Sequence, residues 1–262
     1  GPRPGEFGGG ATKLRTRRIP DGFGAGFSIS GSWHTQTTSR NGLDYHGGDS
    51  DWLGFDDGTR ALPPGVALAA ELEPLTLEDP NTGEGYPIEV LAALGQAMPN
   101  TWSAKRREDL PPDVGLGGSI GDRVETPLGT IGYNVGVSYD HKFRNRPGIN
   151  RVYGLGANNA LEPIVDYRVD KTTRTVDLSS LVCVGYAPVE GQEVTVTTLW
   201  VRTTEDETEV YEGYLGNEDR NIRVTSLNWV EEQLLSTQLQ GEHELFADIQ
   251  LSWSYTFALA LG

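Results

Sequence analysis

Three stretches of this chain switch between apolar and small or polar residues at every step, which is the side-chain period of a β-strand and of no helix. From Phe23 to Trp33, the residues Phe23, Ala25, Phe27, Ile29 and Trp33 fall on one side, and Gly24, Gly26, Ser28, Ser30, Ser32 and His34 on the other. Ile131, Tyr133, Val135, Val137 and Tyr139 repeat the pattern, as do Leu245, Ala247, Ile249, Leu251, Trp253, Tyr255 and Phe257. Four less regular runs, Val114 to Val124, Val176 to Tyr186, Val194 to Val201 and Ile222 to Leu239, are rich in Val, Thr, Leu and aromatics and complete a set of seven strands.

The connections between these strands alternate in length. A long one follows the first strand, then a tight turn at Glu125 to Leu128, a loop from His141 to about Arg174, and a tight turn at Pro188 to Gln192. A loop from Thr203 to Asn221, holding the acidic stretch Glu205, Asp206 and Glu207, precedes a last short turn around Gln240 to Glu242. Outer-membrane barrels sort loops in this way, with short periplasmic turns and long extracellular loops. The expected fold is therefore all-β, an antiparallel up-and-down transmembrane β-barrel segment of about seven or eight strands with long extracellular loops. Its lipid-facing and girdle residues would be Phe23, Phe27, Ile29, Trp33, Tyr133, Tyr139, Leu251, Trp253, Tyr255 and Phe257, with Trp33, Tyr139, Trp253, Tyr255 and Phe257 level at the outer interface.

Composition is consistent with this and narrows the partners. No run approaches the ~18 apolar residues of a helical span, and a mean hydropathy of -0.40 suits a barrel that hides its apolar face in alternation. A phosphate-binding surface should carry an excess of Lys and Arg, and the net charge of -16 argues against one, so no nucleic-acid partner is expected. The lone Cys183 lies between Val182 and Val184 and is read as a small wall residue. The one expected helix runs from Ile88 to Met98, between Pro87 and Pro99, inside the first long loop.

Catalytic chemistry finds no footing. His34, His46, His141 and His243 are scattered without metal-ligand spacing. Asp56 and Asp57 are neighbours on one loop, not opposed carboxylates, and no G-x-S-x-G elbow occurs. Gly115, Gly117, Gly118 and Gly121 precede no helix, as a phosphate cradle requires, and read as wall glycines. Asp44, His46, Asp49, Asp51, Asp56 and Asp57 form an oxygen-rich set of the kind calcium takes, but EF-hand spacing is absent and a solvated or packed acidic loop is expected. No catalytic residue, metal or cofactor is assigned, and the chain is not read as an enzyme.

Several segments resemble TonB-dependent outer-membrane receptors. Phe7 with Gly8, Gly9 and Gly10, then Leu14, Arg15 and Thr16, then Ile19, Pro20 and Asp21, resemble the closing stretch of that family's plug, and Phe27 to Trp33 with Gln36, Thr37 and Thr38 resemble its first barrel strand. The run from Asp51 to Pro63 is similar to the first extracellular loop of a subset of these receptors, and Gln238 to His243 with Leu251, Ser252 and Trp253 to a turn and strand of the same subset.

The resemblance implies residues 1–21 as the end of a plug and its linker, and 22–262 as the N-terminal part of a barrel, of roughly 22 strands in that family, with a first extracellular loop at about 38–112. It implies energised uptake of a scarce nutrient across the outer membrane of a Gram-negative cell. The partners would be outer-membrane lipid, a small nutrient ligand, and an inner-membrane energising complex acting through an N-terminal region not found in this sequence. Siderophore, cobalamin, saccharide and peptide ligands all stay open, and the ligand would meet Asp49, Asp51, Trp52, Asp56, Asp57 and Arg60 in the first loop. Seven strands, the last running outward, suggest an incomplete barrel that is not transport-competent alone; one further strand would let a small eight-stranded barrel close. The residues also leave open a soluble secreted β-sandwich or barrel that binds carbohydrate through this aromatic and acidic loop, or a β-rich hydrolase.

Overall fold

The computed structural model describes residues 19–156, 159–246 and 249–262. The plug-end segments within residues 1–18, and Ala247 and Asp248 of the last alternating run, lie outside the described residues.

The chain is mostly antiparallel β. Its main sheet contains β1 (Gly24–Ser32), β4 (Asp113–Thr126), β5 (Gly129–Asn145), β6 (Gly148–Leu155), β7 (Leu161–Ala187), β8 (Gln192–Leu215), β9 (Arg220–Glu244) and β10 (Gln250–Leu261). The order is β1-β4-β5-β7-β8-β9-β10, with β6 also pairing to β7. β5 and β6 lie end to end along β7, interrupted at Arg146 and Pro147, where the proline supplies no N–H to the ladder. Among the described residues β1 and β10 each pair on one side only, so the sheet is open and no closed barrel is formed.

All seven expected strands occur, and several run further than expected. The segment from His141 to Arg174 is a hairpin, with β5 continuing to Asn145 and β7 starting at Leu161. The acidic residues Glu205, Asp206 and Glu207 belong to β8, and β9 continues through Gln240 to Glu242 and ends at Glu244, with β10 starting at Gln250. Strand propensity persists through these stretches in Thr203, Thr204, Thr208, Val210 and Tyr211. Their charges made them read as loop because the alternation there is polar on both faces.

The connection from β1 to β4 is structured. It holds the antiparallel pair β2 (Gly42–Asp44) and β3 (Lys105–Arg107), a 3-10 turn at Asp51–Leu53, and helices α1 (Pro64–Leu72) and α2 (Ile88–Ala97). α2 matches the expected helix and stops one residue earlier, with Met98 capping it. α1 was not anticipated, although Pro64 at its first position and the run Val66 to Leu72 carry the signal.

Residues directly opposite each other in a ladder share a face, so the register sorts the whole sheet. One face bears Phe27, Ile29, Leu116, Ile120, Ile131, Tyr133, Val137, Tyr139, Val182, Val184, Val196, Trp200, Trp253, Tyr255 and Phe257. The other bears small and polar residues such as Ser28, Ser30, Gly117, Gly136, Ser138, Ser179, Cys183, Thr197 and Gln238. Over its middle the apolar face is bare, with Phe27 78%, Ile29 72% and Tyr255 69% exposed. The chain presents 17725 Å² to solvent, against about 11,000 Å² for a compact soluble monomer of this mass. The buried apolar side chains among the described residues, Val66, Leu110, Phe143, Val176, Cys183 and Val210, make no continuous core.

Candidate functional site

Two regions carry the chemistry: the bare apolar band, and the junction where the first long loop folds onto the same face beyond it.

The band is bounded by aromatic residues at both ends. Ile131 aligns with Tyr186, Val194, Gly241 and Trp253 near the short turns, and Tyr133 aligns with Val184, Val196, Leu239 and Tyr255. At the far end Tyr139 aligns with Leu116, Leu178 and Arg202. Trp253 is thus at the opposite end of the band from Tyr139, where the sequence had suggested one level; β10 starts at Gln250, so Trp253 is its fourth residue. Phe257 is in mid-band with Val135 and Val182, and Leu251 is one pleat closer to the turn than Trp253. Phe23 and Trp33 flank β1 and are exposed.

Trp253 has a polar partner at this rim. Its Nε1 donates to His243 Nε2 at 2.9 Å, and His243 Nδ1 lies 2.7 Å from Gln192 Oε1. An indole N–H only donates, so the proton of the neutral imidazole rests on Nδ1 and is given to Gln192.

Beyond Tyr139 the same face turns polar and the loop covers it. Gly54, at φ +72°, places its carbonyl to accept from Arg202 Nε at 2.8 Å and Thr204 Oγ1 at 2.7 Å. A Cβ there would lie 3.0 Å from Thr204 Oγ1 and 3.2 Å from Val176 Cβ, so glycine fits both the left-handed backbone and the close approach. Arg202 lies 4.1 Å over the Phe55 ring and pairs with Glu231 at 2.7 Å. At the boundary, Tyr139 Oη donates to the Trp52 carbonyl at 2.7 Å and the two rings meet edge to face at 6.5 Å.

Asp51 is the hub of this junction. It accepts from Arg60 Nη1 and Nη2 at 2.8 and 2.7 Å and from Arg174 Nη2 at 2.8 Å, and its side chain is only 5% exposed. Arg174 also bonds Asp206 on β8. The Arg60 guanidinium lies 3.8 Å over Trp229 and donates to Tyr45 Oη at 2.6 Å and to Asp56 at 2.9 Å. Burial raises the Asp51 carboxyl, but the bonds from Arg60 and Arg174 outweigh it and hold it below the ordinary carboxylate range. Burial, reinforced by Asp206, raises the Tyr45 hydroxyl.

Of the six candidate ligand residues, Asp51, Asp56 and Arg60 are thus brought together, but their polar groups are turned on one another and on the wall. Asp57 and Asp49 form a separate turn: Asp57 accepts from the Thr59 hydroxyl at 2.6 Å and from the Thr59 and Asp49 amides at 3.0 and 2.7 Å, which draws its carboxyl down to about 2. Trp52 is 56% exposed at the band's edge. Among the described residues no group of three or more His, Cys, Asp or Glu side chains is placed to hold a metal ion.

Of the wall partners, Arg202, Trp229 and Glu231 were not singled out from the sequence, and Arg174 and Asp206 were read as loop residues. Continuing the every-second-residue pattern of β8 past Val201 finds Arg202, Thr204 and Asp206 on one face. On the small-residue face, two further aromatics, Tyr167 and Tyr211, meet at a tilt of 34° with centroids 5.4 Å apart beyond the band. That face also receives the chain before β1: a Cβ at Gly132 would lie 2.8 Å from Ile19 Cγ2 and 3.0 Å from Pro20 Cδ, so Gly132 admits this segment where a side chain would expel it.

No protein family, curated protein or solved structure matches this chain in comparisons with known proteins.

Proposed function

We propose that this chain is part of the wall of an outer-membrane β-barrel of the TonB-dependent receptor type, serving energised uptake of a scarce nutrient, with a binding role and no catalytic one. The observation that carries the reading is the bare apolar band. From Ile131 to Tyr139 it spans nine residues of β5, and a tilted strand needs about 9–11 residues to cross a bilayer. Aromatic residues bound it at both rims, as at membrane interfaces, while the opposite face is small and polar, as a lumen wall is.

Orientation follows from the loops. The short turns at the Trp253 rim face the periplasm, and the long loop at the Tyr139 rim faces outward. The strands continue far beyond the band: β7 has 27 residues, on the order of 85 Å at the usual rise. Ile19 and Pro20 lie on the lumen side, where a plug would enter. Docking of the loop through Asp51 and Arg60 supports a structural role for these two, so nutrient contacts are assigned to the lumen face, at the level of Tyr167 and Tyr211.

Reconstitution into vesicles of brominated phospholipid tests the reading. Trp200 lies on the apolar face in the row of Val137, one pleat inside the Tyr139 rim, so single-Trp variants should show its fluorescence quenched by bromine in the outer part of the acyl chains and that of Trp102, in the loop, unquenched. A chain that is monomeric without detergent, with Trp200 unquenched in vesicles, would refute it.

A further inference from the structure

His141 lies on β5 two residues beyond Tyr139, in one row with Val176, Thr204 and Glu231. The loop settles on this row: Val176 and Thr204 are 3% and 1% exposed, and the Gly54 backbone packs directly on both. The imidazole is held between two loop contacts on its own strand. On one side its ring meets Tyr139 at 6.4 Å, whose hydroxyl bonds the Trp52 carbonyl. On the other it meets Phe143 edge to face at 4.9 Å, with Arg107 of β3 5.2 Å over the Phe143 ring. Nε2 of His141 is buried without a hydrogen-bond partner among the described residues.

The charged groups around the ring are engaged with one another. Arg174 on β7 is bonded to Asp51 and Asp206, and Arg107 to Asp44. On β4, Asp113 takes the Phe143 amide, Arg144 and Ser32, and lies 3.2 Å from His34. On β9, Glu231 takes Arg202 and Trp229. A neutral imidazole fits these surroundings. An imidazolium makes both ring nitrogens donors, which would leave one buried with no acceptor near two guanidinium groups, at far higher cost than the same proton in water. Burial first, then Arg174 and Arg107, against a smaller pull from Asp113, push His141 down from 6.5 to about 4.

We infer that His141 is the acid trigger of the loop: its protonation releases the first loop from the wall, which makes the junction a pH-sensitive latch. The docked state excludes a proton that His141 takes at its ordinary value once uncovered. Docking is therefore complete above 6.5 and weakens as pH falls from there toward 4. Between pH 7 and pH 5 this lowers the docked-to-undocked ratio about 20-fold. Asp51 acts only lower, below the ordinary carboxylate value, and Asp206, raised by burial, acts in the opposite sense because docking favours its protonated form. The latch rests on the junction alone and not on the membrane reading.

The experiment follows the Leu43 amide, corrected for its intrinsic exchange rate, from pH 7 to pH 5 in the full chain and in His141→Phe, which keeps an aromatic ring beside Phe143. Protection in the unmodified chain should fall about 20-fold relative to the variant, while the amides linking β7 and β8 hold theirs. Equal pH profiles in the two chains overturn the proposal, as does a loss shared by the β7 and β8 amides. Should the variant fold poorly, the unmodified chain decides by itself. Its His141 imidazole should titrate by NMR well below 6.5, with Leu43 protection falling over the same pH range. A midpoint near the ordinary value with Leu43 still protected refutes the latch.

Discussion

Replacing Asp51 by Asn removes one charge from a side chain that takes three hydrogen bonds from two guanidinium groups. Deleting one partner of a buried pair costs about 3–5 kcal/mol when the other charge is left uncompensated. Here Arg60 keeps Asp56 and Arg174 keeps Asp206, so neither cation is orphaned. What is lost is the charge-assisted part of three bonds, plus one amide N–H turned toward guanidinium donors, for a cost of about 2–4 kcal/mol. That free energy falls on loop docking and not on the sheet, which pairs independently of it. The docked-to-undocked ratio should fall roughly 30- to 700-fold. Amide exchange reads this locally: the Leu43 amide, which donates to Thr172 Oγ1 at 2.8 Å, should exchange faster by that factor, while the amides linking β7 and β8 keep their rates. The Asp51 carboxyl is depressed in the docked state, so its contribution is complete above the ordinary carboxylate value and is lost as pH falls below it through the docked value. The unmodified loop should undock in acid, and Asp51→Asn should lack this part of the acid release. A Leu43 rate that rises less than threefold, or one that rises together with the β7 and β8 amides, would refute the assignment of Asp51 as the hub.

Gly54→Val places a β-branched residue at φ +72° and against Thr204 and Val176; it should weaken docking by about 1–3 kcal/mol, read at the same Leu43 amide. Val135→Arg puts a charge in mid-band, in the row of Val182 and Phe257, and should destabilise the vesicle-inserted chain by about 2–4 kcal/mol in urea titration; an unchanged midpoint would count against a lipid-facing band. Gly132→Val should push Ile19 and Pro20 off the small-residue face, seen as loss of nuclear Overhauser contacts between residues 19–20 and β5, with β5 pairing retained. The Asp57 carboxyl should titrate with a midpoint near 2 by NMR, and a midpoint at the ordinary value would show that the turn it caps is open.

Strand positions were legible because period-two alternation survives wherever one face meets a uniform environment, as from Phe23 to Trp33 and from Ile131 to Tyr139. Strand ends were not, because beyond the band the environment changes. Arg202, Thr204, Asp206, Thr208 and Val210 alternate in burial as regularly as the apolar residues do in hydropathy, but what buries them is a loop more than a hundred positions earlier in the chain. Asp51 and Arg60 stood out as polar residues in an aromatic loop and read as ligand contacts. Their partners Arg174, Asp206 and Trp229 are brought in only by the register of β7, β8 and β9, which local sequence does not encode.

The place where the apolar face ends and the loop begins is fixed by one row of residues. Tyr139, Leu178 and Arg202 align across β5, β7 and β8; Tyr139 reaches the Trp52 carbonyl, and Arg202 reaches the Gly54 carbonyl two residues later. The first bond lies at the rim of the band and the second already in the polar junction. A sheet whose apolar face simply continued would be free to slide along its strand axes in a bilayer, since each pleat resembles the next. A loop clamped across this row removes that freedom, because a shift inward would carry Arg202, Glu231 and the Asp51 cluster into hydrocarbon, and a shift outward would bare Val137 and Trp200 to water. On the membrane reading, the charges that look like a binding site are what set the depth of the wall, and the nutrient-facing chemistry belongs to the opposite face.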